Sequence, residues 1–153
     1  MRGGRSIKPK TLEQDMSFDV FLIPSSASPV GSAYDQQIVA ASKSVGALRV
    51  SIDGGETADG VPFETYGGGN GVMYALHGMS PNLCEIIFEA AKRTNSYVIA
   101  TGDVKYAIEP KGISGRPPEM NMPIKIAATP KALCVTLGQG YGMWAGYRDY
   151  VRK

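Results

Sequence analysis

The stretch VPFETYGGGNGVMYAL, residues 61–76, decides the fold. Two β-prone runs, Val61–Tyr66 and Val72–Leu76, flank Gly67-Gly68-Gly69-Asn70-Gly71, a link that reads as a flexible hairpin tip. A connection this short joins antiparallel strands, because a parallel pair needs a crossover of about a dozen residues or more. The sheet built on this hairpin therefore cannot be purely parallel.

Upstream, Asp53 to Gly60 (DGGETADG) is a loop by composition. Before it, Leu48, Val50 and Ile52 alternate with Arg49 and Ser51, the pattern of a half-buried strand. Ser32 followed by Asp35 resembles a capping box with the shorter acid, and Tyr34, Ile38, Ala41 and Val45 recur at helical spacing. Gly46 is placed to stop that helix in the left-handed conformation. Ser17–Ile23 is β-rich, with Phe18, Val20 and Leu22 on one face and Phe21 and Ile23 on the other, as in a strand covered on both sides.

Downstream, Ser80 and Pro81 give a helix cap followed by proline at the first helical position. Leu83, Ile86, Ile87, Ala90 and Ala91 then share one helix face, with Glu85, Glu89 and Lys92 largely off it. Tyr97–Ala100 and Val104–Ile108 read as strands joined by the turn Thr101-Gly102-Asp103. Pro110 to Pro123 contains four prolines and is irregular, and Ile124–Ala127 is a short edge strand. Thr129 and Pro130 repeat the cap-plus-proline device and open a helix through Leu133 and Leu137. Gly138, Gly140 and Gly142 interrupt it, and a last short helix carries Trp144, Tyr147 and Val151. The expectation is one α+β domain over residues 16–153, with a mainly antiparallel sheet of about five or six strands and three or four helices. Residues 1–15 are expected to form a flexible basic tail.

Charge narrows the function. The formal net charge is +2, and residues 1–15 supply all of it, because residues 16–153 hold twelve basic and twelve acidic groups. A nucleic-acid-binding domain needs a basic face to neutralise phosphates, so that class is excluded. The tail lacks the apolar region of a secretory signal, and no stretch approaches the roughly 18 apolar residues that span a bilayer. Cys84 and Cys134 sit singly in apolar patterns and read as buried thiols of a cytoplasmic protein, with a disulfide as the other possibility.

Between Val50 and Ala91 there is no Lys or Arg, yet the window carries Asp53, Glu56, Asp59, Glu64, Glu85 and Glu89. Glu85 and Glu89 belong to the outer face of a helix. Asp53, Glu56, Asp59 and Glu64 stand on turn-rich chain beside the glycine hairpin. They admit three readings: a solvated loop, a docking surface for a basic partner, or paired acids for acid–base or metal chemistry. Their spacing does not match an EF-hand. Other motifs point away from catalysis. The glycine run leads into a strand instead of a helix and has no following Lys, so it is not a phosphate loop. Gly138-Gln139-Gly140-Tyr141-Gly142 lies too close to the C-terminus to open a dinucleotide-binding unit. His77 is the single histidine and reads as a turn or surface residue; neither a metal site nor a catalytic residue is assigned, and no cofactor is implied.

Met16-Ser17-Phe18-Asp19-Val20-Phe21-Leu22 resembles the opening of a group of small bacterial proteins, and Trp144-Ala145-Gly146-Tyr147-Arg148-Asp149-Tyr150-Val151 is similar to its close. Glu85–Ala91, then Asn95 and Val98-Ile99, follow a helix-then-strand block of the same group, and Pro117-Pro118-Glu119-Met120 resembles a turn before its last strand. Some members act as immunity partners of secreted antibacterial toxins. The resemblance covers the second half of the chain and little of residues 24–76, and its motifs are packing signatures. It implies a cytoplasmic protein that binds one cognate toxin domain and occludes its active site. Asp53, Glu56, Asp59 and Glu64 would then supply charge, and Tyr66 and Asn70 shape and hydrogen bonds. Two rival expectations stand beside it: a small enzyme using carboxylates 53–64 on a metal, nucleotide or sugar ligand, and a structural homodimer paired through its edge strand and C-terminal aromatics.

Overall fold

The 61–76 hairpin forms as read and sits within a single eight-stranded sheet. A computed structural model describes residues 17–100, 106–138 and 141. The strands are β1 (Phe18–Pro24), β2 (Leu48–Ser51), β3 (Gly54–Glu56), β4 (Pro62–Gly67), β5 (Val72–Leu76), β6 (Ser96–Ala100), β7 (Ala107–Pro110) and β8 (Ile124–Ala127). Helix α1 is Ser32–Ser44, α2 is Pro81–Thr94, and α3 covers 130–138, with residue 141 also helical. The spatial order is β2-β3-β4-β5-β1-β6-β7-β8, antiparallel throughout except for the parallel β7–β8 pair. The fold is α+β, as expected, but the sheet is larger than five or six strands. The strand that the sequence reading left out, β3, lies in the chain read as a loop. Gly54 has φ 134° there and lies so close to β4 that a Cβ would overlap the Phe63 carbonyl. Glycine that suggested a loop is what lets this strand approach its neighbour.

The central strand is β1, paired with β5 from Phe18↔Leu76 to Leu22↔Val72 and with β6 from Val20↔Ala100 to Pro24↔Ser96. Its inward residues Phe18, Val20 and Leu22 are fully buried with Val72, Tyr74 and Leu76, against Tyr34, Ile38 and Ala41 of α1 and Leu83, Ile86 and Ile87 of α2. Leu133 and Leu137 of α3 join the same core. The opposite face of β1 departs from the reading. Phe21 and Ile23 are only half-buried, so the described residues cover the strand fully on one side alone.

Local signals account for the helix ends. Ser80 Oγ accepts the Leu83 N–H at 3.0 Å, Pro81 opens α2, and Asn95 closes it in the left-handed conformation. The cap contributes about 1 kcal/mol. Burial of Leu83, Ile86 and Ile87 contributes roughly 2 kcal/mol for each side chain, so packing dominates and the cap sets the boundary. At the end of α1, Gly46 has φ 88°, its N–H donates to the Lys43 carbonyl, and the Ala47 N–H donates to that of Ser42. This paired Schellman arrangement needs the left-handed glycine that the sequence supplies. The start of α1 differs from the expectation. Gly31, not Ser32, is the cap residue, no side chain caps it, and Asp35 is engaged elsewhere. Thr129 Oγ1 caps α3 by accepting the Ala132 N–H at 3.1 Å.

Three further expectations are corrected. In β2, Leu48 is 53% exposed and Ile52, in the following turn, 42%, because β2 is an outer strand that pairs with β3 alone among the described strands. Strand β7 begins at Ala107; the turn 101–103 lies outside the described residues, as do the tail and the aromatics from Trp144 onward. Cys84 and Cys134 form a disulfide, with Cα atoms 5.4 Å apart, which joins α2 to α3. They are therefore not free thiols. The proline-rich segment is irregular as read, yet it is tied down: Arg116 N–H donates to Ser26 Oγ at 2.6 Å and Ser114 N–H to Asn95 Oδ1 at 2.9 Å.

Candidate functional site

The four acids of residues 53–64 do not form one cluster. Glu56 on β3 reaches back across the ladder to Arg49 of β2, with 2.6 Å between Oε1 and Nη1, so its charge is matched within the sheet. Asp59 serves the fold. Its Oδ1 accepts the Thr57 hydroxyl at 2.5 Å, while the Val61 N–H donates to Thr57 Oγ1 and closes the turn. The Thr57 bond, with help from Ser80 and the Asn82 backbone, holds the Asp59 carboxyl below its ordinary value. A carboxylate at the start of α2 also matches the positive end of the helix dipole. Next to it, Asn82 Oδ1 accepts the Ala58 N–H at 2.7 Å, and Nδ2 donates to the Val45 carbonyl and to Glu85.

The other two acids differ. Asp53 is exposed in the β2–β3 turn, where its backbone carbonyl accepts the Thr65 N–H. Glu64 is exposed on β4 and accepts the Tyr66 hydroxyl at 3.0 Å, with His77 Nε2 at 3.8 Å. Strand alternation puts Glu64 and Tyr66 on the sheet face turned away from the helices, since the intervening Thr65 is buried. Register then brings Met73 opposite Tyr66, and Phe21 opposite Met73. Asn70, Tyr66, Phe21, Ile23 and Met73 line a shallow cavity of about 290 Å³ on this side. The structure thus brings Glu64, Tyr66 and Asn70 together and leaves Glu56 and Asp59 out.

Reasoning from the sequence missed Phe21, Ile23 and Met73 as surface residues. Their alternation was visible, but an apolar residue facing a half-open sheet side reads the same as one facing a second layer. It also took the glycine hairpin tip as flexible. In the structure Gly69 N–H donates to Asp35 Oδ1 at 2.8 Å, and Gly69 bridges to Gly31, so the tip is docked on the start of α1. Among the described residues no group of three or more His, Cys, Asp or Glu is placed to hold a metal ion. No described helix is long and apolar enough to cross a membrane. In comparisons with protein families, curated proteins and solved structures, the chain matched none.

Proposed function

We propose that this protein is a binding protein of the immunity type, which neutralises a cognate toxin domain by covering its active site. The observation that carries this reading is Tyr66, 51% exposed, standing between the Glu64 carboxylate and the apolar cavity of Phe21 and Met73. A large aromatic with a polar tip, beside apolar surface and a carboxylate, is the composition of a protein-binding hot spot. Glu64 and Asp53 carry the charge that steers a basic cleft into contact, and Asn70 adds hydrogen-bonding capacity. Glu56 and Asp59 have internal partners and contribute only to the long-range field. Cytoplasmic residence is part of the proposal and needs the disulfide to be open there, because reducing compartments keep thiols reduced.

The test is calorimetric titration of the full chain with the protein encoded by the adjacent reading frame. Tight binding is expected, weakened at least about tenfold by Tyr66→Ala, with slower association in Glu64→Lys. Binding with both variants unchanged would move the contact surface elsewhere; absence of binding would remove the immunity assignment. A self-associating protein is the second reading, favoured by Ile124 (39% exposed) and Ile126 (67%) on the last strand of the sheet. Sedimentation as a monomer at high concentration would dismiss it.

A further inference from the structure

We infer that the Cys84–Cys134 disulfide is a site of thiol–disulfide exchange, opened by a dithiol reductant. Three observations bear on it. First, the bond lies in the wall of a cavity of about 310 Å³ between the starts of α2 and α3, lined by Pro81, Cys84, Glu85, Pro130, Lys131 and Cys134. A disulfide sealed in a core has no such approach. Second, the two sulfurs differ in access: Cys84 is 1% exposed, whereas Cys134 is half-buried. Third, each helix has core contacts besides the bond. Leu133 and Leu137 keep α3 seated, while Leu83, Ile86 and Ile87 keep α2 seated, all fully buried. Opening the bond therefore loosens α3 without dismantling the core.

The chemistry follows from the access. One thiolate of the dithiol enters the cavity and attacks Cys134 Sγ. The S–S bond breaks, and its electron pair leaves on Cys84 Sγ, which takes a proton from water. The second thiol of the reductant then attacks the mixed disulfide at the reductant's own sulfur. It releases Cys134 as a thiolate, which is protonated, and the reductant departs as a disulfide. The protein gains two electrons and two protons, and the dithiol loses the same. Cys84 stands three residues after Pro81, within the first turns of α2, where the helix dipole favours a departing thiolate. Lys131 attracts the incoming thiolate and Glu85 repels it, so the cavity carries opposing charges and the cation lies on the helix of the attacked sulfur.

The experiment uses the full chain, purified without reductant and kept in native buffer. Samples are treated with millimolar dithiothreitol, quenched with iodoacetamide and weighed intact. Untreated protein should carry no label, and treated protein two labels within minutes. Hydrogen exchange of amides 131–138 should then quicken roughly tenfold while amides 83–91 stay protected. Lys131→Glu should slow labelling several-fold at low salt, an effect that fades at high salt. Labels on untreated protein, or labelling only after denaturant is added, would overturn the inference. Equal rates in the Lys131→Glu variant would do so too, since exchange would then run through an unfolded chain. The Cys84→Ser/Cys134→Ser double variant should show the quickened exchange with or without reductant; a response to reductant in that variant would also count against the assignment.

Discussion

Two buried tyrosines show how one hydroxyl changes sign with its surroundings. Tyr34 and Tyr74 are both fully buried in the same core. The Tyr34 hydroxyl pairs with Ser96 Oγ at 2.8 Å, and Ser96 in turn meets Thr94, whose hydroxyl donates to the Ala90 carbonyl. The Tyr74 hydroxyl has no hydrogen-bond partner among the described residues. A buried, unpaired hydroxyl costs about 1–3 kcal/mol, whereas a made bond contributes roughly 1 kcal/mol. Tyr74→Phe should therefore raise the urea midpoint, and Tyr34→Phe should lower it by the equivalent of about 1 kcal/mol. Equilibrium unfolding of the two variants beside the parent checks both signs, and a loss of stability in Tyr74→Phe would show that its hydroxyl has found a partner. Asp59 gives the same lesson among charged groups. It stands among four acids in sequence, and its hydrogen bonds make it a turn fastener rather than a docking charge.

At the scale of elements, the hairpin of β4 and β5 is held to the start of α1 by the Asp35 carboxylate and by the backbone bridge to Gly31. Asp35 Oδ1 accepts from Gly69, in the middle of the glycine tip. In Asp35→Ala the Gly69 amide should exchange with solvent at least about tenfold faster, while amides in the middle of β5 keep their protection; hydrogen exchange followed residue by residue reads this directly. That bond also marks where the sequence stopped being legible. Caps and stops are local, and Ser80-Pro81, Gly46 and Thr129-Pro130 could all be interpreted from neighbours a few residues away, whereas the left-handed Asn95 that closes α2 was not read as a stop. The hairpin and the antiparallel sheet followed from a short link between two β-prone runs. Asp35 was taken for a capping acid because its true partner lies 34 residues along the chain. Strand β3 was hidden because Gly54 and Gly55 carry no side chains to show alternation. Of the candidate site, Glu64, Tyr66 and Asn70 were named from the sequence. Phe21 and Met73 were not, because which side of a sheet lacks a second layer depends on where every helix packs.

The molecule as a whole responds to alkali through its tyrosines. Burial holds the hydroxyls of Tyr34, Tyr74 and Tyr97 above the ordinary value of 10.0, and for Tyr97 the nearby Glu109 charge adds to it. Below pH 10 these phenols are protonated in both the folded and unfolded chains, so they leave stability unchanged. Above about pH 10 the unfolded chain releases its protons first, the folded state binds more of them, and stability falls as pH rises. A urea midpoint that drops between pH 9 and pH 11, and drops less in Tyr74→Phe, is the expected result. The position of β1 bears on how the chain is made. The strand at the centre of the sheet emerges before either of its neighbours, since its ladders join Leu22 to Val72 and Val20 to Ala100. Until the ribosome has delivered those partners, Phe18–Pro24 is an apolar strand with two open edges. Such a segment is a template for pairing with other chains, so the nascent protein is most vulnerable to aggregation before residue 100 has emerged, and a trigger-factor-type holdase should raise its yield more than it raises its final stability.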